Sequence, residues 1–163
     1  MGNSGIGVPL PELAAYCREA AAEGAVLLKN EGHMLPVKKD ETVSIFGRSQ
    51  IEYYRSGTGS GGAVNVPYVK NILDGIKENN VFPVNEELVE IYKEWLKEHP
   101  FDNGGGGWAA EPWHQAEMEI TDEIARRAAE KSEKAIFLIG RTAGEDKDYE
   151  DTEGSYLLTK REK

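Results

Sequence analysis

Residues 135–159 read AIFLIGRTAGEDKDYEDTEGSYLLT, and this stretch decides the fold. Ala135-Ile-Phe-Leu-Ile139 is apolar without alternation, which predicts a strand covered on both faces. The chain then turns through Gly140 and Gly144. Glu145, Asp146, Asp148, Glu150, Asp151 and Glu153 follow within nine residues. Carboxylates just beyond the carboxyl end of a buried strand stand where α/β proteins place their ligands. An acidic tract is more often simply solvated. Glu145 departs from that reading because it comes first after the strand, between Gly144 and an acidic neighbour. A second glycine-rich loop upstream is also placed to meet the same sheet edge.

Working outward, the chain alternates helix and strand. Residues 1–10 are glycine- and proline-containing and read as an N-terminal arm. Glu12–Lys29, ELAAYCREAAAEGAVLLK, predicts a helix, with Leu13, Cys17, Ala20, Gly24 and Leu27 or Leu28 at helical spacing. Gly24 inside it points to a close approach of another element, and Cys17 reads as a small core filler. Thr42–Phe46 is the first clear strand. Tyr68–Glu78 predicts a helix burying Val69, Ile72, Leu73 and Ile76. Val81–Val84 is a short strand, set at a sheet edge by Pro83. Asn85 caps a helix through Lys97 that faces Leu88, Ile91, Tyr92 and Trp95 inward. A final helix runs from Thr121 to Glu130, and Thr159–Glu162 resembles the start of another. This order predicts an α/β fold with a mostly parallel sheet. We expect residues 1–163 to form one such domain.

Two long loops lack regular periodicity. Residues 47–67, GRSQIEYYRSGTGSGGAVNVP, contain Gly57, Gly59 and Gly62 in a literal G-x-G-x-x-G. A dinucleotide fingerprint follows its strand immediately and opens a helix, with an acidic residue about 20 positions on. Here Arg48–Ser56 intervene, and Asp74 and Glu78 lie in the next helix, so that reading fails. There is no Gly-Lys-Ser/Thr either. What remains is a backbone-rich loop with the hydroxyls of Ser56, Thr58 and Ser60 beside Arg48 and Arg55, donors that suit a neutral polyol. Tyr53 and Tyr54 either line a sugar-sized cleft or pack. Residues 99–119 carry four consecutive glycines, Trp108, Trp113 and His114, as a lid or as a surface that docks a partner domain.

The net charge of −10 argues against nucleic acid and against an anionic membrane surface, and leaves neutral sugars compatible. His33, His99 and His114 are scattered without ligand-like spacing, so no metal site is expected. No cofactor is expected. No G-x-S-x-G elbow follows a strand. The N-terminus has no basic region followed by a long apolar run, so it does not read as a signal peptide, and the cytoplasm is the expected location.

Four blocks in order then carry a resemblance: AAAEGAVLLKNEGHMLPV (20–37), VSIFGRSQ (43–50), YYRSGTGSGGAVN (53–65) and IGRTAGEDKDYEDTEGSYLLT (139–159). Together they resemble the α/β sandwich domain of glycoside hydrolase family 3, the β-glucosidase family, which implies a three-layer α/β/α sandwich with a mostly parallel sheet, incomplete at the C-terminus because the family's sandwich is larger than this chain. The insert at 81–119 and the N-terminal place of the domain resemble the variant order in which the sandwich precedes the catalytic barrel. The resemblance implies a retaining mechanism with two carboxyl groups. The aspartate nucleophile would come from a TIM-barrel domain of the same polypeptide, and its Ser-Asp-Trp-like motif does not occur in this chain. The acid/base glutamate would come from a Gly-Glu after a strand, matched by Gly144-Glu145, with Glu150 and Glu153 as alternatives. A serine of the glycine-rich loop would bind glucose, matched by Ser60, with Gly59 and Arg55 beside it. The implied substrate is a β-linked glucoside or oligosaccharide. A non-catalytic carbohydrate-binding or interaction module is the competing reading. An exposed sheet edge would also allow a homodimer.

Overall fold

The computed structural model describes residues 10–54, 58–60 and 68–163, which fall into two compact units. In the first unit, helix α1 spans Leu13–Glu23. It is shorter than its composition predicts. It stops at Gly24, whose N–H donates to Ala20 O at 2.9 Å, and the chain beyond is extended. A Cβ at Gly24 would meet only the Ala20 and Ala21 carbonyl oxygens of its own helix. Gly24 is therefore a helix stop rather than a point of close approach, as its cost of about 1 kcal/mol in a helix interior favours. No α1 residue is buried, and Cys17 is exposed rather than a core filler. Asn30 closes the following loop, with Nδ2 on Leu35 O (2.9 Å) and Oδ1 accepting from Leu35 N (3.0 Å).

The second unit is built on β1 (Val43–Phe46), which pairs in parallel with β2 (Lys134–Phe137), Val43 opposite Lys134 and Phe46 opposite Phe137. On the far side of β1, the Val81–Val84 segment supplies a single parallel bridge, Val43 to Val84, rather than a full strand. Val43 N donates to Pro83 O and Asn85 N to Val43 O, both at 2.9 Å. Pro83, which has no N–H to give, lies on the outer edge. The α/β class with a parallel sheet thus holds. All four residues of β1 are buried, whereas β2 alternates. Phe137 is 70% exposed and Ile139 51%, so the expectation of a strand covered on both faces fails. β2 is the edge of this sheet, and only β1 packs beside it among the described residues.

The helices form where caps and periodicity coincide. α2 covers Ile72–Glu78, shorter than expected, because Asn71 and Asp74 form a reciprocal capping box that fixes its start. Only Leu73 is buried there; Val69 and Ile72 are exposed. α3 (Glu86–Glu98) is capped by Asn85 on Leu88 N, and α4 (Asp122–Lys131) by Thr121 on Ile124 N. Leu88 and Tyr92 of α3 join Phe46, Met118 and Ala128 in the core, with Ile91 and Trp95 packed against it. A polar seam ties both helices to β1. Asn85 Nδ2 donates to Ser44 Oγ (3.0 Å), and Ser132 Oγ bonds Ser44 Oγ and Ala128 O, both at 2.8 Å.

Arg48, just past β1, is 1% exposed. Its guanidinium donates to Ala116 O (3.0 Å), His99 O (2.9 Å) and Glu52 Oε2 (2.7 Å), and lies 5.5 Å from the Trp95 ring centroid. Its own N–H reaches Glu117 Oε2 at 3.0 Å. One side chain therefore fastens both ends of the 99–119 loop to the strand end. A guanidinium suits this because its fork of donors serves several acceptors at once.

Candidate active site

The glycine-rich loop and the acidic loop converge at the carboxyl ends of β1 and β2. Thr58 forms a parallel bridge with Gly144, and Thr58 N donates to Ala143 O at 3.3 Å. This contact carries the next residues to Glu145. Ser60 N and Ser60 Oγ both donate to Glu145 Oε2, at 3.1 and 2.9 Å. Two donors on one carboxylate oxygen fix its direction. Gly59, at φ +87°, immediately precedes Ser60, and the Glu145 side chain occupies the space where a Cβ on Gly59 would sit. Glu145 itself is exposed, so its carboxylate faces outward while its orientation is set by Ser60.

Glu145 sits in a two-residue turn. Gly144 N donates to Lys147 O (3.2 Å) and Lys147 N to Gly144 O (3.1 Å), with Asp146 at φ +61°. Aspartate is among the few non-glycine residues that adopt this region readily. The 99–119 loop grips the far side of the turn. Trp108 Nε1 donates to Asp146 Oδ2 at 2.9 Å, and Trp113 Nε1 to Asp148 O at 3.1 Å. The Lys147 ammonium donates to Ala109 O (3.2 Å) and to Glu111 O, and stands 5.6 Å over the Trp113 ring. Thr142 N donates to Trp113 O at 2.9 Å. The tryptophan loop is thus a buttress to the acidic loop within this chain.

Downstream, Arg141 forks onto Glu162, at 2.7 and 2.6 Å, and Nε donates to Ser155 O at 2.9 Å. Burial alone would raise the Glu162 pKa, but hydrogen bonds from Arg141 and Thr159 outweigh it and hold it at about 2. Thr159 and Glu162 bond reciprocally, as a capping box does, in the single turn the sequence marks there. Burial raises the carboxyl of Glu117, under Arg48, above its ordinary range. Tyr54 packs rather than lining a cleft. Its hydroxyl donates to Pro112 O (2.6 Å) and accepts from Gln115, and its ring meets Phe101 edge-on. Tyr53 donates to Lys70 O.

The structure therefore brings Glu145, Ser60 and Gly59 together, while Arg55, with Ser56 and Gly57, lies outside the described residues. Neither alternative contacts Ser60 among the described residues. Glu150 engages Ser155 through its backbone, and Glu153 points to Lys163, 3.8 Å away. The sequence pointed to Thr58 as a polyol donor and to Trp108 as part of a lid or docking surface, whereas the structure bridges Thr58 to Gly144 and sets Trp108 on Asp146. It did not point to Lys147, legible only as a cation inside a carboxylate run. That pattern names no partner.

The chain matches the model of the "Glycosyl hydrolase family 3 C-terminal domain" over residues 25–160. It is 52% identical over 145 residues to a β-glucosidase of Ruminococcus albus, covering 89% of this chain and 15% of that protein. A solved β-glucosidase from Paenibacillus barengoltzii is 66% identical, with a TM-score of 0.93 over 98% of this chain and 17% of the other. β-Glucosidase 3B from Thermotoga neapolitana, in complex with α-D-glucose, is 30% identical, with a TM-score of 0.77 over 94% of this chain and 21% of that one. The chain thus spans 15% to 21% of the length of these relatives. With the matched model covering most of its residues, the chain belongs to glycosyl hydrolase family 3, through that family's C-terminal domain.

Proposed function

We propose that this domain supplies the general acid/base and one wall of the sugar cleft to a retaining β-glucosidase, with Glu145 as the acid/base. The observation that carries the reading is the double hydrogen bond from Ser60 to one oxygen of Glu145. It aims a single carboxylate of the acidic loop, and among the described residues the other oxygen has no hydrogen-bond partner. In the reaction, Glu145 protonates the glycosidic oxygen as the C–O bond breaks. A carboxylate from a barrel domain attacks the anomeric carbon. Glu145 then removes a proton from the water that releases the sugar. The two carboxyl groups would stand about 5 to 5.5 Å apart, the separation of retaining enzymes. Ser60, Gly59 and Arg55 would meet the sugar hydroxyls, Ser60 exchanging its bond to Glu145 for one to substrate. The substrate is a β-linked glucoside or oligosaccharide.

The test is a paired kinetic series on the full-length protein. Glu145→Ala should impair glucosides with poor leaving groups far more than activated aryl glucosides, because only the former need protonation. The covalent intermediate should accumulate, lowering apparent KM, and azide should restore turnover because it needs no general base. Azide rescue at Glu150→Ala or Glu153→Ala, with Glu145→Ala near wild type, would move the role to that residue.

A further inference from the structure

We propose that Lys147 is a positioning residue for Glu145, clamping the turn that carries the carboxylate onto the 108–113 segment. This rests on the acid/base reading of Glu145. The turn is short and its tip is exposed, so its orientation depends on what holds its two ends. One end is Gly144, bridged to Thr58. The other is Lys147. Its ammonium lies within a run of six carboxylates, yet among the described residues it forms no ion pair with any of them. It reaches instead for two neutral acceptors, Ala109 O and Glu111 O, and for the face of Trp113. Three consecutive residues of the acidic loop are gripped in this way. Asp146 is held by the Trp108 indole, Lys147 by the two carbonyls, and Asp148 by the Trp113 indole.

The geometry has a chemical consequence. Glu145 immediately precedes the gripped residues and its only described side-chain partner is Ser60. When substrate takes the Ser60 hydroxyl, the carboxylate loses one of its two restraints. The clamp at Lys147 then sets where the backbone of Glu145 lies. An acid poised within about 3 Å of a leaving oxygen is sensitive to a displacement of about 1 Å, which costs roughly a hundredfold in rate. A lysine stem with three donors at its tip can span from one loop to the next and bridge two carbonyls. A methionine keeps the stem and loses the donors, whereas an arginine keeps donors, charge and ring contact.

The experiment uses the full-length protein with Lys147→Met, Lys147→Arg and Glu145→Ala, each assayed on a poor and an activated leaving group. Amide hydrogen exchange of 144–148 is followed in parallel. Lys147→Met should lose about tenfold to a hundredfold in kcat/KM on the poor leaving group and about threefold or less on the activated one. Exchange should accelerate at 144–148 and stay unchanged in β1 and α3. Lys147→Arg should recover most of the loss. If Lys147→Met does not fold, Trp108→Phe, which cuts only the neighbouring tie to Asp146, should show the same selectivity at smaller size. Equal losses on both substrates, or unchanged exchange at 144–148, would overturn the proposal while leaving Glu145 in its role. Glu145→Ala without leaving-group selectivity would overturn the acid/base reading and this one with it.

Discussion

A Cβ placed on Gly59 would lie 2.5 Å from Glu145 Cβ and 2.8 Å from its Oε2. The glycine-rich loop can lie against the carboxylate only because this position has no side chain. Gly59 is also at φ +87°, a conformation that costs an L-residue about 1–2 kcal/mol. If Glu145 is the acid/base as proposed, Gly59→Ala in the full-length protein should displace it and lower kcat/KM on poor-leaving-group glucosides by about tenfold or more. Thermal unfolding should shift by no more than a few degrees, since the loop is at the surface. Unchanged kinetics with an unchanged Tm would show that the two loops yield at no cost.

Arg48 makes a different kind of demand. Its guanidinium is buried with three acceptors around it, two of them backbone carbonyls of the 99–119 loop. Arg48→Met should destabilise the domain by about 3 kcal/mol in urea unfolding, because Ala116 O and His99 O lose their donor and Glu52 loses its counter-charge. Arg48→Lys should recover little, since one ammonium cannot reproduce the fork. A cost below about 0.5 kcal/mol for the methionine variant would mean that water replaces the guanidinium freely.

The contrast between these two sites shows what could be read from residues alone. The strands at 43–46 and 134–137 and the helices begun by Asn85 and Thr121 were legible, because apolar spacing and cap chemistry agree there. α1 was overextended because an alanine-rich composition speaks for a helix on both sides of Gly24, and only the structure shows which signal wins. The apolar run at 135–139 identifies a strand, but apolar character says nothing about which face has a neighbour, so Phe137 and Ile139 were placed inside and are exposed. At the site, the resemblance singled out Glu145, Ser60 and Gly59, which the fold brings together. The buttress of Trp108, Trp113 and Lys147 was beyond reach. It depends on side chains about 35 positions apart meeting carbonyls and one carboxylate, and such contacts leave no periodicity.

Acid sensitivity should centre on Glu162. Its folded pKa of about 2 lies below the unfolded value of about 4.3. The pair with Arg141 therefore adds stability above about pH 4.3, and that stability is lost as pH falls towards 2. After allowing for solvent screening the contribution is about 1–2 kcal/mol. Glu117 acts in the opposite sense. Its raised pKa gives stability at low pH that is lost as pH rises through the folded value. The wild-type profile also carries Glu41, Glu87 and Glu90, whose lysine partners lower their carboxyls, so the difference between wild type and Glu162→Gln is the reading that reports mainly on Glu162. That difference should be full at pH 6 and shrink below pH 4 in denaturant titrations. A difference constant from pH 6 to pH 2.5 would contradict the assignment.

Gly154 and His114 offer a separable test of how the tryptophan loop meets the end of the acidic loop. Gly154 is buried at φ +81°, and a Cβ there would lie 2.2 Å from Cε1 and Nδ1 of the His114 ring. Gly154→Ala thus carries two penalties, backbone strain and collision, together about 2–4 kcal/mol. His114→Ala clears the collision and leaves the strain. In a double-mutant cycle the two changes should couple favourably, the pair costing less than the sum of the singles by about 1–2 kcal/mol. The residual cost of Gly154→Ala in the His114→Ala background should match left-handed strain alone, about 1–2 kcal/mol. Gly154→Asn offers an internal control, because asparagine tolerates this backbone region yet still brings a Cβ against the ring. It should be as damaging as alanine beside His114 and milder than alanine once the ring is removed. Strict additivity of Gly154→Ala and His114→Ala would show that the ring swings aside without cost, leaving the backbone conformation as the only demand on Gly154.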